Sequence, residues 1–396
     1  MVKRVFGLGL MAFLGLGGFC ILATTLAGAQ TETILYSFGG VPGEGANPYG
    51  GLVYHKGSLY GTTTDNAPSG NLGNVFEITA DGQYKVLHNF GSQPGDGTAP
   101  CDFGGLVFRG GKLYGTALYG GATGSFGTVF DLTPKGKEKI LHTFGGPPGD
   151  GAYPFAGVIF DKAGNLYGTT EEGGSGACQG GCGIVYEITE SGDQKTLYSF
   201  SGLGDAYFPV ANLTLDKAGN LYGVGTGGAF DGGAIFQISS TGAEKVLYSF
   251  GDQPGDGYIP YSGVIFDKKG NLYGTTFSGG AYGLGTVFEF TPTGKEKTLY
   301  SFGAQAGDGI NAYGSLVFDK KGNLYGTTFA GGLYGQGTVF ELSPTGDEKV
   351  LYTFGSQAGD GSIPLGELVF DTTGNLYGVT AYGGVYGFGT AFKIMP

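Results

Sequence analysis

Histidine is nearly missing from this sequence: three residues in 396, at positions 55, 88 and 142. His88 and His142 stand where a repeated segment elsewhere has Tyr, and His55 lies in a turn, so all three read as structural and no histidine-based catalytic centre is expected. No Gly-x-Ser-x-Gly nucleophile elbow and no phosphate-binding loop occurs. Positive charge is scarce, with 21 Lys and Arg against 33 Asp and Glu, and that balance argues against nucleic acid as a partner. After Leu26 no apolar run approaches the roughly 18 residues of a membrane-spanning helix. Cysteine is sparse as well, and its four positions are best read against the first 29 residues.

Those residues have the form of a secretory signal: Lys3 and Arg4, an apolar run from Val5 to Leu26, and the small-residue site Ala27-Gly28-Ala29. A mature chain is expected from Gln30, its formal charge moved from −12 to −14 by loss of the two bases. Cys20 leaves with the signal. Cys178 and Cys182 bracket Gln179-Gly180-Gly181, and a local disulfide is expected there in an oxidising compartment. A metal site is the alternative, weaker because two thiolates without a nearby His fall short of tetrahedral zinc. Cys101 is left over, either buried or free.

What the chain does contain is one unit written seven times, most cleanly from Gly263 to Phe302. Its Leu-Tyr-Gly core starts at Leu59, Leu113, Leu166, Leu221, Leu272, Leu324 and Leu376, spaced 51 to 55 residues apart, and a fixed period of that size signals a repeat architecture. Each unit holds four strand-length segments, here a (GVIFD), b (NLYGTT), c (GTVFEFT) and d (KTLYSF), rich in Val, Ile, Tyr, Phe and Thr and bounded by Gly or Pro. The a-to-b link Asp267-Lys268-Lys269-Gly270-Asn271 and the c-to-d link Thr291-Pro292-Thr293-Gly294 carry tight-turn chemistry. Four antiparallel strands in seven copies predict an all-β, seven-bladed β-propeller over residues 30–396; a solenoid, which repeats at shorter periods and needs atypical capping units, is the competitor. The last unit lacks d, while Thr33-Ile34-Leu35-Tyr36-Ser37-Phe38 is a d segment without a blade. The N-terminal strand should therefore complete the last blade and close the ring, removing an exposed edge. A monomer is expected.

The motifs GNLYGTT, GGAYGLGTVFE and TLYSF, running from about Thr33 to Pro396, resemble the bacterial exported proteins built from the tandem GloVer repeat, the choice-of-anchor repeat proteins. That resemblance implies export and a repeat fold and no particular activity. Many such proteins end in a surface-anchoring segment, which is not read before Pro396.

In an up-and-down blade the long b-to-c and d-to-a loops share one face, the usual place for function on a rigid scaffold. No Lys or Arg falls in those loops, whereas thirteen carboxylates do. Seven recur once per unit: Glu44, Asp96, Asp150, Asp205, Asp256, Asp308 and Asp360. They read as turn residues accepting local N–H bonds, with calcium coordination, above all by the six Asp, as the alternative. Asp252 and five departures from the repeat, Asp65, Asp102, Glu171, Glu172 and Asp231, complete the set. A pair among those five is the candidate acid and base of a glycoside hydrolase, against the plainer reading of solvated loop carboxylates. Tyr49, Phe103, Tyr261, Tyr282, Tyr313, Tyr334, Tyr382 and Tyr386 are the candidate ligand-stacking aromatics. The expectation is a secreted, extracellular or periplasmic binding propeller without a resident cofactor apart from the calcium alternative. Its long-loop face should take a neutral glycan or a protein partner, with a polysaccharide-active hydrolase or lyase as the second reading. A lyase acting on uronates is disfavoured, because no cation stands in these loops to neutralise the substrate carboxylate.

Overall fold

The computed structural model describes residues 32–66, 72–100, 104–122 and 124–396. The signal segment 1–29, Cys101, Asp102 and Phe103 lie outside the described residues.

Every repeat folds as one four-stranded antiparallel sheet in the order a-b-c-d. In the fifth blade these strands are Ile265–Phe266, Leu272–Thr276, Thr286–Phe290 and Glu296–Ser301. Strand a is only two or three residues long because the seven a strands converge on the axis, where width is least. At that point the backbones nearly touch: a Cβ on Gly104 would lie 1.6 Å from the nitrogen of Gly157, so only glycine fits. Strand c is buried on both faces, as the near-continuous apolar run Val287-Phe288 requires. Strand d carries a bulge, between the partners of Val287 and Phe288 in this blade, and bulges increase local twist.

The ring closes as the sequence predicts. Glu32–Ser37 pairs with Thr390–Ile394 in register Thr33 to Lys393, Ile34 to Phe392 and Ser37 to Thr390, so the first described strand is the outer strand of the seventh blade. Phe38 follows it and packs on Phe76 of the first blade at 5.1 Å between ring centroids. The same contact recurs at every junction, as in Phe250 on Phe288 at 5.1 Å and Phe354 on Phe392 at 5.1 Å. Each such aromatic pair contributes about 0.5–1.5 kcal/mol beyond its area burial. The hydrophobic core is accordingly seven clusters between neighbouring blades, not one centre; Val75 and Phe90 of the first blade meet Phe130 and Leu132 of the second in one of them.

Candidate binding face

The two long loops of a blade do share a face, and they are not free. Gly257–Tyr258 of the loop entering the fifth blade pairs with Ser278–Gly279 of its b-to-c loop, a short antiparallel ladder found in every blade but the fourth among the described residues. A Cβ on Gly257 would lie 2.5 Å from the Thr276 methyl, which explains the Gly after the repeated Asp. The ladders hold the loop tips at fixed positions around the ring.

On those tips stand nearly all the exposed large apolar side chains. Among the described residues only Met395 is exposed elsewhere. Tyr282, Tyr334 and Tyr386 occupy equivalent places on blades five, six and seven and are 55%, 53% and 53% exposed. Nearer the axis the candidates come together in pairs. Tyr261 stacks on Tyr313 at 5.0 Å with Phe277 edge-on, and the Tyr49 and Tyr382 hydroxyls are 3.0 Å apart. The outer tyrosines thus present free ring faces, and the inner ones partly cover each other.

The seven repeated carboxylates are drawn away from this surface to the outer rim, where Glu44, Asp96, Asp205, Asp308 and Asp360 are buried beneath their loops and Asp150 and Asp256 are half-buried. Asp256 is representative. Its Oδ2 accepts bonds from the Tyr248 hydroxyl at 3.0 Å and the Gly251 N–H at 2.8 Å, and its Oδ1 accepts from the Gly257 N–H at 2.8 Å. Asp308 and Asp360 take Tyr300 and Tyr352 in the same way, Asp205 takes Tyr198, and Asp96 and Asp150 face His88 and His142. These oxygens serve the turn. The net negative charge counted on the long-loop face is therefore carried in good part by the rim.

A residue type that the sequence reading passed over meets them there. The first residue of the next d strand brings a second carboxyl to the same place: Glu244 beside Asp205, Glu296 beside Asp256, Glu348 beside Asp308 and Glu32 beside Asp360. Burial, and then the charge of that Asp, pushes each Glu from 4.5 up to about 7. The signal was present as the Glu before the strand-d Lys at positions 138, 244, 296 and 348, but the meeting depends on how one blade packs on the next.

The hydrolase candidates are dispersed. Asp65 pairs with Ala46 in the loop ladder of the first blade, Asp231 accepts a bond from Tyr207 at 3.4 Å in the fourth, and Glu171 and Glu172 belong to the third. Burial, then Glu172, pushes Glu171 to about 7. Cys178 and Cys182 are joined in the third blade's b-to-c loop, with Cα atoms 5.1 Å apart.

Below the loops the axis holds a narrow channel of about 360 Å³ walled by the a strands. Where four blades have Gly at the head of strand a, the others have Asn212, Ser315 and Glu367. Asn212 crosses the axis, donating to the Gly104 carbonyl at 2.8 Å and accepting from the Gly157 N–H at 2.8 Å. Ser315 accepts from the Gly263 N–H at 3.1 Å. Glu367 lines the channel and is pushed to about 7 by burial. Aligning the seven copies would have exposed all three departures.

The fold and its closure define a seven-bladed β-propeller with its aromatic surface gathered on one face. The chain belongs to the family of the Gloeobacter/Verrucomicrobia repeat, which matches residues 19–230 and 219–396, in agreement with the resemblance in the repeat motifs. No curated protein matches it. Among solved structures it is similar to the extracellular domain of a protein described as a hybrid two-component system from B. thetaiotaomicron, at TM-score 0.57 and 14% identity. That likeness covers 93% of this chain and 41% of that one, so the chain spans about two fifths of the neighbour's length. It is also similar to a protein described as a gluconolactonase, at TM-score 0.44 and 14% identity over 93% of this chain and 92% of that one. At such identities the likeness concerns the fold alone.

Proposed function

We propose that this protein is a secreted, non-enzymatic binding propeller whose long-loop face takes neutral polysaccharide. The observation that carries the reading is the placement of the exposed aromatics on the loop tips, with Tyr282, Tyr334 and Tyr386 repeating from blade to blade. Flat aromatic faces stack on the apolar faces of sugar rings, and three similar weak contacts in one plane give avidity without a tight single site. Loops without Lys or Arg disfavour acidic chains. Export is supported by the Lys3-Arg4 start and apolar run, and agrees with the similarity to an extracellular domain. No helix among the described residues is long and apolar enough to cross a membrane.

The test is binding to a panel of neutral and acidic polysaccharides, alongside the triple variant Tyr282→Ala, Tyr334→Ala, Tyr386→Ala. Neutral-chain binding that falls at least tenfold in the variant supports the reading. Unchanged binding, or a preference for alginate, overturns it.

One observation favours a second reading, a hydrolase of neutral glycans. Burial pushes Glu171 of the third blade's long loop up to about 7, the range a general acid needs. Release of reducing sugar by the parent, abolished in Glu171→Gln, would establish it in place of simple binding.

A further inference from the structure

The seven blade junctions repeat one arrangement at the rim: a d-strand residue, the loop acid, and the first residue of the next d strand. Four junctions read Tyr, Asp, Glu. The one between blades one and two reads His88, Asp96, Glu138, and the next reads His142, Asp150, Gln194. Only the first of these brings three side chains able to ligate a transition metal to one point, and it is the only such group among the described residues. We propose that His88, Asp96 and Glu138 form a binding site for a divalent transition metal of the zinc class, pinning the first blade to the second.

The geometry of the three donors supports this. His88 Nε2 lies 3.2 Å from Asp96 Oδ2 and 3.7 Å from Glu138 Oε2. Ligands on a tetrahedral zinc at 2.0–2.1 Å are separated by about 3.4 Å, so the donors stand where an ion would be shared. The side chains of His88, Asp96 and Glu138 are 7%, 1% and 2% exposed. Neither Asp96 Oδ1 nor Glu138 Oε1 has a hydrogen-bond partner in the described structure; Oε1 of Glu32, Glu244, Glu296 and Glu348 is orphaned in the same way at the Tyr junctions, so the imidazole is what sets this junction apart. Buried carboxylate oxygens need a donor or a cation, and here two carboxylates converge with one imidazole between them. The surrounding shell is already placed, since the Ser92 N–H donates to Asp96 Oδ2 at 3.2 Å and the Gln93 amide donates to Glu138 Oε2 at 3.1 Å. Such outer contacts fix ligand orientation. Imidazole with two carboxylates suits zinc, cobalt or nickel, whereas calcium asks for six to eight oxygens.

The molecule supplies its own controls. His88→Tyr recreates the arrangement of four other junctions, and Glu138→Gln recreates the His, Asp, Gln arrangement of the next one, so both variants are compatible with the fold. The full mature chain, stripped with chelator, is titrated with zinc chloride by calorimetry and with cobalt chloride by visible absorbance, and its melting temperature is followed with and without zinc. The expected result is one ion per chain in the parent, a zinc-dependent rise in melting temperature, and a loss of affinity of at least tenfold in each variant. Equal stoichiometry and equal melting shift in the parent and His88→Tyr overturn the proposal. So does a parent that binds no ion, which would leave an imidazolium bridging the two carboxylates.

Discussion

The two ends of this propeller use carboxylates in opposite ways. On the short-turn end, the a-to-b turn of blades three to seven is held by one Asp with a surplus of donors. Asp267 accepts the N–H groups of Lys269 and Asn271 at 2.8 and 2.9 Å, the Asn271 amide at 3.0 Å and the Tyr273 hydroxyl at 3.4 Å. In the matching turns burial pushes the carboxyl up, but the Asn donors and neighbouring N–H groups outweigh it, so Asp161, Asp216 and Asp371 end below the usual range. On the rim below the long loops, a second carboxyl arrives instead of a second set of donors, and Glu32, Glu244, Glu296 and Glu348 end near 7. One residue class titrates in two directions within one repeat, decided first by how deeply it is buried and then by whether its neighbours are like charges or donors.

The largest test of this contrast removes the strand that joins the rim into a ring. Deleting residues 30–38 strips the outer strand from the seventh blade, along with Phe38 and the Glu32 contact to Gln357. Chemical denaturation should show a loss of several kcal/mol, about what a strand's burial and ladder contribute. An unchanged transition would mean that the ring does not depend on its closure.

The next effect comes from pH, and the two ends pull in opposite directions. A Glu whose folded pKa is raised from 4.5 to about 7 contributes stability that is complete below 4.5 and is lost as pH rises through 7. The lowered Asp161, Asp216 and Asp371 contribute stability that is present above 3.8 and lost as pH falls toward their folded values. Melting temperature should therefore peak near pH 4–5 and decline as pH rises to about 7. Replacing Glu32, Glu244, Glu296 and Glu348 by Gln should lessen that decline, leaving the share due to Glu171 and Glu367, and leave the acid limb alone. An undiminished decline in that variant would place its cause elsewhere.

Single substitutions sharpen the comparison further. Asp319→Ala leaves the Asn323 amide and the N–H groups of Lys321 and Asn323 without their acceptor and should cost about 1–3 kcal/mol. Glu296→Gln removes a buried charge facing Asp256 and supplies a donor, so at pH 8 it should change stability by less than about 1 kcal/mol or raise it. Equal losses from both would erase the distinction between the ends. The smallest effect belongs to Cys178 and Cys182: the double Ser variant should lose at most about 2 kcal/mol, because the closed loop is so short.

Much of this was readable in the sequence, for a local reason. The turn Asp-x-x-Gly-Asn, the strand lengths and the period all lie within one unit, and seven copies repeat the same statement. The unpaired d segment at Thr33 to Phe38 and the missing d after Ile394 predicted the closure, because an open edge in an otherwise complete ring has one partner. The split of long loops and short turns between two faces followed from strand alternation, and so did the place of Tyr282, Tyr334 and Tyr386.

The tertiary structure alone decided what meets across a blade junction. Asp256 and Glu296 are 40 residues apart in the chain, and they meet where the loop leaving the fourth blade's outer strand reaches the outer strand of the fifth. The same junction sets His88 against Glu138, and it takes the repeated acids out of the exposed loop surface to which sequence alone assigned them. At the axis, Asn212 bonds to Gly104 and Gly157 only because three blades converge to backbone distance there. Periodicity determines which residues share a face of one sheet; the angle between sheets determines which of them touch.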